Sequence, residues 1–451
     1  MLVLRDYQSE IVRSIHDSWQ RGYKRPLVCL PTGSGKTVLA ADMAYRVAGH
    51  DKTAWFIVHR RELFKQTVDT FDEFGIPRRE HVHVGMVRSV LNKGLPDPDL
   101  IVLDEAHHLG ARTWRRIVDA YPEAYMTGLT ATPARLDGKA LGDVFDRLIA
   151  GPTTQDLVNQ GYLSPYRMIV ADVADLSGLK TKGADYDRTD AESRLMERAV
   201  YGDVIKAFRK YASDAQAIYF CTTIKHSEAT AEAFRSAGIR AEHFDGNTPS
   251  KKRDELIQEF RNGDIQILSN CELIGEGFDM PACDAIGMLR PTQSLTIYLQ
   301  QVGRALRPRP GKTATLIDHV GNIQRHGSPS EPRQWSLEGK IKTGRAVTEE
   351  GEFAIRCCTN CFAAYEVTRP RCPVCGAEYV STMEEIKQIR DVKMRILEEK
   401  ELECERKWAL SPEAEKEARS YSDLCKIAKH KGYKTGWAYH KAKARGLWVP
   451  Y

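Results

Sequence analysis

The sequence predicts an α/β protein: two tandem domains built on parallel sheets, then a small cysteine-rich unit and a helical tail. Three observations carry that expectation. Over the first 320 residues, short apolar runs alternate with longer amphipathic stretches, the pattern of parallel sheets covered on both faces. The runs fall into two groups, separated by a polar, weakly periodic stretch at residues 175–198. After Asn322 the character changes, and Gly, Pro, Ser and charged residues take over.

The first strands are expected at residues 27–30, 54–58, 100–103 and 126–129. The second group is expected at 217–220, 241–244, 265–268, 285–289 and 315–317. Helical periodicity separates them, for instance at 227–237 and 249–262. These signals divide the chain into a first domain at 1–160, a connection at 161–200, a second domain at 201–325 and a linker at 326–352. A cysteine-rich ribbon is expected at 353–380. A tail at 381–451 follows, opening with a charged, solvated helix at 383–408 and closing with a basic, aromatic segment.

The 451 residues suffice for two or three large units, and 42% hydrophobic content supplies their cores. Arg5 and Asp6 interrupt Leu2-Val3-Leu4 at once, so no signal peptide is expected. No run reaches the roughly 18 apolar residues of a membrane span. The net charge of +5 points only weakly to a polyanionic partner. The last thirty residues point more strongly, with Lys426, Lys429, Lys431, Lys434, Lys441, Lys443 and Arg445 against Asp423 alone. Of eleven cysteines, five crowd between Cys357 and Cys375, which reads as metal binding in a reducing, cytoplasmic compartment.

Pro31-Thr32-Gly33-Ser34-Gly35-Lys36-Thr37 follows an apolar strand and precedes a helical pattern, the context of a phosphate loop. Its glycines let backbone N–H groups turn toward a phosphate, and the following helix N-terminus adds partial positive charge. Lys36 would reach the β- and γ-phosphates of ATP, and the Thr37 hydroxyl would ligate Mg²⁺. Leu30 stands where the long form of the motif has its first Gly. Sixty-eight residues beyond Lys36, an apolar strand delivers Asp104-Glu105-Ala106-His107-His108. Asp104 would hold Mg²⁺ through water, and Glu105 would orient and deprotonate the attacking water.

Asp104-Glu105-Ala106-His107 resembles the DEAH-type box of superfamily 2 helicases, and further strings follow that family's order. The resemblance covers roughly residues 1–325 and implies two RecA-like domains with ATP and Mg²⁺ between them. Leu4-Arg5-Asp6-Tyr7-Gln8 resembles the adenine-recognition segment, which puts Arg5 and Gln8 at the nucleotide. His59-Arg60-Arg61-Glu62-Leu63 with Gln66 resembles motif Ia, and Gly85 to Val90, including Arg88, resembles motif Ib in a divergent form. Both imply contacts to the nucleic-acid backbone. Thr130-Ala131-Thr132-Pro133 resembles motif III, which couples hydrolysis to movement. Tyr219-Phe220-Cys221-Thr222-Thr223 resembles motif IV, and His243-Phe244-Asp245-Gly246 the next shared strand end. Gly275-Glu276-Gly277-Phe278-Asp279-Met280-Pro281 resembles motif V, so Gly277 and Asp279 join the nucleotide-binding candidates and Thr222 the nucleic-acid ones. Gln300-Gln301-Val302-Gly303-Arg304-Ala305-Leu306-Arg307 matches motif VI. Arg304 and Arg307, three apart, can share a helix face and reach the γ-phosphate across the cleft.

Cys358-x2-Cys361 and Cys372-x2-Cys375, ten residues apart, form two knuckles suited to tetrahedral structural Zn²⁺. Motor plus ribbon resembles the RadD-like DNA repair helicases and their phage-encoded relatives. That implies action on single-stranded, forked or duplex DNA, in a host cytoplasm for a phage protein. It also implies partners such as a single-strand-binding protein or recombinase. The tail mixes cations with aromatics: the former suit phosphates and the latter suit either exposed bases or the tail's own core. Rival readings are an RNA remodeller, the motor subunit of a restriction complex, and a zinc-dependent binding protein with a dead ATPase.

Overall fold

The computed structural model describes residues 3–58, 61–76, 81–86, 97–108, 112–133, 141–171, 179–182, 185–197, 200–271, 283–331, 333, 335–338, 355–357, 364–366, 371, 394–397, 406–434 and 436–447. The first lobe contains strands Pro26–Cys29 (β1), Ala54–Val58 (β2), Val82–Met86 (β3), Leu100–Leu103 (β4), Tyr125–Thr130 (β5) and Arg147–Ala150 (β6). They form one parallel sheet in the order β3-β2-β4-β5-β1-β6. Helices Asp6–Gln20 (α1), Lys36–Ala48 (α2), Arg61–Glu73 (α3) and Arg112–Ala120 (α4) belong to the same lobe. β1, β2 and β4 are buried at every position, which is why they read as unbroken apolar runs. The sequence pattern does not reveal β3 and β6, because His83 and Gly85 interrupt the one and the other has only three apolar residues after Arg147.

After the short helix Thr154–Asn159 (α5), the second lobe opens with Tyr166–Ala171 (β7), inside the stretch expected as a connection. β7 pairs in parallel with Ala314–Asp318 (β14 below), Ile169 opposite Ile317. A small hairpin, Thr181–Lys182 (β8) and Asp185–Tyr186 (β9), follows with helices Arg188–Glu197 (α6) and Val200–Tyr211 (α7). Asp185 is fixed to the second lobe by Arg290 at 3.1 Å, by the Thr292 hydroxyl and by the Gln293 N–H at 2.7 Å. The remaining core elements are Ala217–Phe220 (β10), Ile224–Ser236 (α8), Ala241–Phe244 (β11), Ser250–Asn262 (α9), Ile267–Asn270 (β12), Ala285–Met288 (β13), Leu295–Ala305 (α10), β14 and Asn322–His326 (α11). The sheet order is β11-β12-β10-β13-β14-β7-β17, where β17, Met394–Leu397, lies antiparallel on the edge of β7. The charged helix expected at 383–408 therefore contains a strand at 394–397. A composition rich in helix formers is overridden there by the open edge of β7.

The expected linker also has structure. Ser328 and Ser330 are buried, and both hydroxyls lie within hydrogen-bond reach of Tyr166 Oη. Arg333 donates to the carbonyls of His326, Ser328, Pro329 and Glu331, holding the segment in a fixed shape. The Leu337 carbonyl then accepts from Leu141 and Gly142 N–H at 2.9 and 3.0 Å, and its side chain packs on the first lobe's core. The chain thus leaves the second lobe and straps itself back onto the first.

Strands Ile355–Cys357 (β15) and Ala364–Glu366 (β16) pair antiparallel; Cys358, Cys361, Cys372 and Cys375 lie outside the described residues. Residues 406–410 are helical, and helices Ala414–Glu417 (α12), Tyr421–Lys431 (α13) and Trp437–Ala444 (α14) follow. They share a separate core built on Leu424, Ile427, Ala438 and Ala442. Among the described residues, no helix is long and apolar enough to cross a membrane.

Candidate active site

The first sheet's strand order assembles the site. β4, β5 and β1 are adjacent and parallel, so the segments leaving their carboxyl ends meet: Asp104-Glu105 after β4, Thr130–Thr132 at the end of β5, the glycine-rich loop after β1. Ligands of open parallel sheets bind at that edge. Gly33 and Gly35 have φ of 87° and 80°, conformations that side chains disfavour, and they turn the loop before α2 starts at Lys36. The N-terminal segment braces the loop. The Gln8 amide donates to the carbonyls of Ser34 and Gly35 at 3.3 and 3.2 Å, and the Tyr7 hydroxyl also donates to Ser34. Arg5 lies over the Tyr162 ring at 4.6 Å and donates to Tyr7 Oη. Lys36 Nζ folds onto the Leu30 and Pro31 carbonyls, both at 3.3 Å.

Burial pushes the Asp104 carboxyl well above the ordinary carboxylate range; the neighbouring Glu105 pushes the same way, and Lys36 opposes. Glu105 has φ of 49°, in the left-handed region, a strained setting for a non-glycine residue. A polar chain leads away from it. His107 Nδ1 lies 3.3 Å from Glu105 Oε2 and 3.1 Å from Thr130 Oγ1. Because the Thr130 hydroxyl donates to the Thr132 carbonyl, the proton between His107 and Thr130 belongs to His107 Nδ1. The Thr132 hydroxyl in turn meets the Thr296 hydroxyl of α10 at 2.7 Å. His107, Thr130, Thr132 and Thr296 therefore lead from beside the acidic box to the second lobe, the step from Thr130 to Thr132 passing through the Thr132 backbone. Thr296 was not legible in the sequence, because a single Thr on an amphipathic helix carries no motif.

α10 lies directly against the phosphate loop. A Cβ on Gly303 would stand 2.3 Å from Thr32 Cβ, so only glycine permits this approach. A Cβ on Gly33 would be 3.8 Å from Arg307 Cγ. Gln300 and Arg304 are buried in the same seam. α10 ends at Ala305, so Arg307 follows the helix end instead of sharing a helix face with Arg304. Desolvation brings the Arg307 guanidinium down to about 10, with repulsion from Arg261 in the same direction. A cavity of about 130 Å³ opens beside this seam, lined by Cys29, Thr32, Ala131, Gly303, Arg333 and Trp335 among others.

Not every candidate gathers here. Thr222 is buried, and its hydroxyl donates to the Leu289 carbonyl. His59, Arg60, Arg88, Gly277 and Asp279 lie outside the described residues, as do the side chains of Arg61 and Gln66. Among the described residues, no group of three or more His, Cys, Asp or Glu is placed to hold a metal.

Two RecA-like lobes, with a glycine-rich loop on one and Gly303 and Arg307 of the other packed against it, define a nucleoside-triphosphate-driven motor. The type III restriction enzyme res-subunit family matches residues 1–94 and 88–135, and the helicase conserved C-terminal domain family matches residues 200–309. A 51.5 kDa protein of Lactococcus phage (isolate 7-9) is 33% identical over 400 residues, which cover 84% of this chain and 87% of that one. IRC3 of Saccharomyces cerevisiae, whose name describes an ATP-dependent helicase, is 27% identical over 71% of this chain; the match spans 52% of its own length. The type ISP restriction-modification enzyme LlaBIII, solved bound to DNA, superposes with a TM-score of 0.52 at 17% identity, covering 70% of this chain and 28% of that one. The chain belongs to the superfamily 2 helicases, which are nucleic-acid-dependent ATPases.

Proposed function

We propose that this chain is an ATP-driven DNA helicase or translocase. The observation that carries the reading is the seam itself: α10 sits on the phosphate loop, and a hydroxyl pair joins Thr132 to Thr296 across it. In this reading Lys36 leaves the Leu30 and Pro31 carbonyls to hold the β- and γ-phosphates, with the backbone N–H groups of Gly33, Ser34 and Gly35 around them. Gln8 and Arg5 take the adenine side. Thr37 and Asp104 would hold Mg²⁺, which when bound supplies charge neutralisation and alignment of the phosphates. A buried acidic pair beside Lys36 is a donor set that fits a divalent cation. Glu105 orients water and accepts its proton. Arg304 and Arg307, with Gln300, stabilise charge on the phosphoryl group from the second lobe. The Glu105–His107–Thr130–Thr132–Thr296 chain then makes hydrolysis and lobe movement report on each other.

DNA is preferred as the track because a structural relative was solved on DNA. Single-stranded, forked and duplex forms all remain substrates of this reading. We assign Arg61, Gln66, His59, Arg60 and Arg88 to the nucleic-acid face, Gly277 and Asp279 to the nucleotide, and Cys358, Cys361, Cys372 and Cys375 to a structural Zn²⁺. A role in recombination, repair or fork processing, with a single-strand-binding protein or recombinase nearby, follows from the RadD-like resemblance. ATP hydrolysis measured alone and with single-stranded, forked and duplex DNA and matched RNA tests the proposal. DNA should stimulate turnover, and Lys36→Ala and Glu105→Gln should each reduce it at least about a hundredfold. Stimulation by RNA alone, or full activity in Lys36→Ala, overturns it.

A further inference from the structure

The charge of this protein is concentrated where the motor is not. Residues 406–447 hold eleven Lys and Arg against four acidic residues, a net +7. The whole chain is +5, so everything outside this unit is net −2. The four acids all precede Leu424; from there to the last residue there are seven cations and no acid.

Folding sorts those cations. Lys426 and Lys429 are buried. Lys431 and Lys441 lie 3.9 and 3.5 Å from Glu415, and Arg445 donates to the Glu415 and Lys416 carbonyls. Lys434, in the turn between α13 and α14, and Lys443, near the end of α14, are exposed. Among the described residues, their ammonium groups have no ion pair or hydrogen bond. The aromatics are divided: Tyr433 and Tyr439 are exposed, and Trp437 is turned inward. Trp437 packs against the unit's own core, with the Tyr433 ring 4.5 Å away. Gly432 and Gly436, with φ of 71° and 92°, shape the turn that returns α14 to α13, and Ala438 and Ala442 are its buried positions. Along the turn and α14 the charged groups left outward are all cationic, with Tyr439 and His440 beside them.

We propose that this terminal unit is a second DNA-binding surface, in which the turn and α14 lie along the phosphodiester backbone of duplex DNA. A duplex carries one negative charge per roughly 1.7 Å of axis. Eight helical residues span about 12 Å, so α14 with its turn matches several phosphates. Binding to single strands relies on stacking rings, and here Trp437 and Tyr433 are engaged with each other while the exposed Tyr439 stands edge-on to His440. Contact to phosphates alone carries no sequence preference, which suits a unit that holds a moving motor near its track.

The test uses the full-length chain without nucleotide, and fluorescence anisotropy on a short blunt duplex and on a single strand across a salt series. K434E/K443E should weaken duplex binding roughly tenfold or more, and its salt dependence should be shallower by about two ions, one for each lost phosphate contact. K434Q/K443Q should fall between, and thermal melting together with ATP hydrolysis without DNA should match the parent protein. Because neither residue touches the nucleotide seam, failure of the motor reading would appear as absent turnover in the parent, a separate result. Unchanged duplex affinity in the folded variant, or a loss confined to single strands, overturns the proposal.

Discussion

At Gly303 the absence of one carbon sets how closely the lobes meet. A methyl group there would stand 2.3 Å from Thr32 Cβ, and neither partner is the far end of a flexible side chain. Gly303→Ala is therefore expected to prevent this closure while sparing both sheets. ATP turnover should fall at least about a hundredfold, with the melting temperature nearly unchanged. Steady-state kinetics beside calorimetry would decide it, and a variant that keeps its turnover would refute the close approach. The residue types at the nucleotide edge were legible in the sequence because each motif has fixed spacing and a strand before it. The state of those residues was not. No spacing announces that Glu105 sits at positive φ, or that Gln8 spends its amide on two loop carbonyls. Both follow from neighbours brought in by strand order.

At the scale of elements, α10 carries opposite duties on neighbouring turns. Its start offers the Thr296 hydroxyl to Thr132, and its end presents Gly303 to the phosphate loop. Thr296→Val keeps the shape and removes the hydroxyl bond, leaving the Thr132 hydroxyl to find another partner in a buried seam. A loss on the order of 1–2 kcal/mol corresponds to roughly a five- to thirtyfold weaker stimulation of hydrolysis by DNA, with DNA affinity itself unchanged. Equal stimulation in variant and parent would remove the bond from the coupling path. The strands that the sequence did reveal, such as Ala54–Val58 and Ala241–Phe244, are flanked by clear helical periodicity. β7 and β17 escaped because their partners decide them. β7 gains its place from β14, almost 150 residues away, and β17 from the free edge of β7. Local composition has no access to either.

For the whole molecule, burial makes the second lobe more acid-sensitive than the first, where His83 is lowered too but Asp104 acts the other way. Desolvation brings His226 down to about 4 and His319 down to about 3, and both lie in the second lobe. A folded-state histidine pKa below the unfolded value of about 6.5 means the unfolded chain binds the proton first, so stability is lost as pH falls from 6.5 toward 4. Asp318, raised by burial, offsets part of this within the same lobe. Asp104 in the first lobe is also raised, which has the opposite sign: its folded state gains relative stability as pH falls. Calorimetry between pH 6.5 and 4.5 should therefore show the second lobe's transition moving down faster than the first's. His226→Gln should recover stability on the order of 2–3 kcal/mol near pH 4. Parallel movement of both transitions, unchanged by the substitution, would contradict this division.

The strap that ends at Leu337 makes the first lobe discontinuous in sequence. Its core cluster ends with a residue almost two hundred positions beyond β6, and two of its N–H groups, on Leu141 and Gly142, bond to that residue's carbonyl. A fragment cut at residue 160 would therefore lack part of its own lid, exposing the surface that Leu337 covers. During synthesis the first lobe would wait, incompletely sealed, until the second lobe had emerged and the chain had come back across it. Completion of the first lobe then depends on the second lobe having been made, although each lobe keeps its own sheet and its own core.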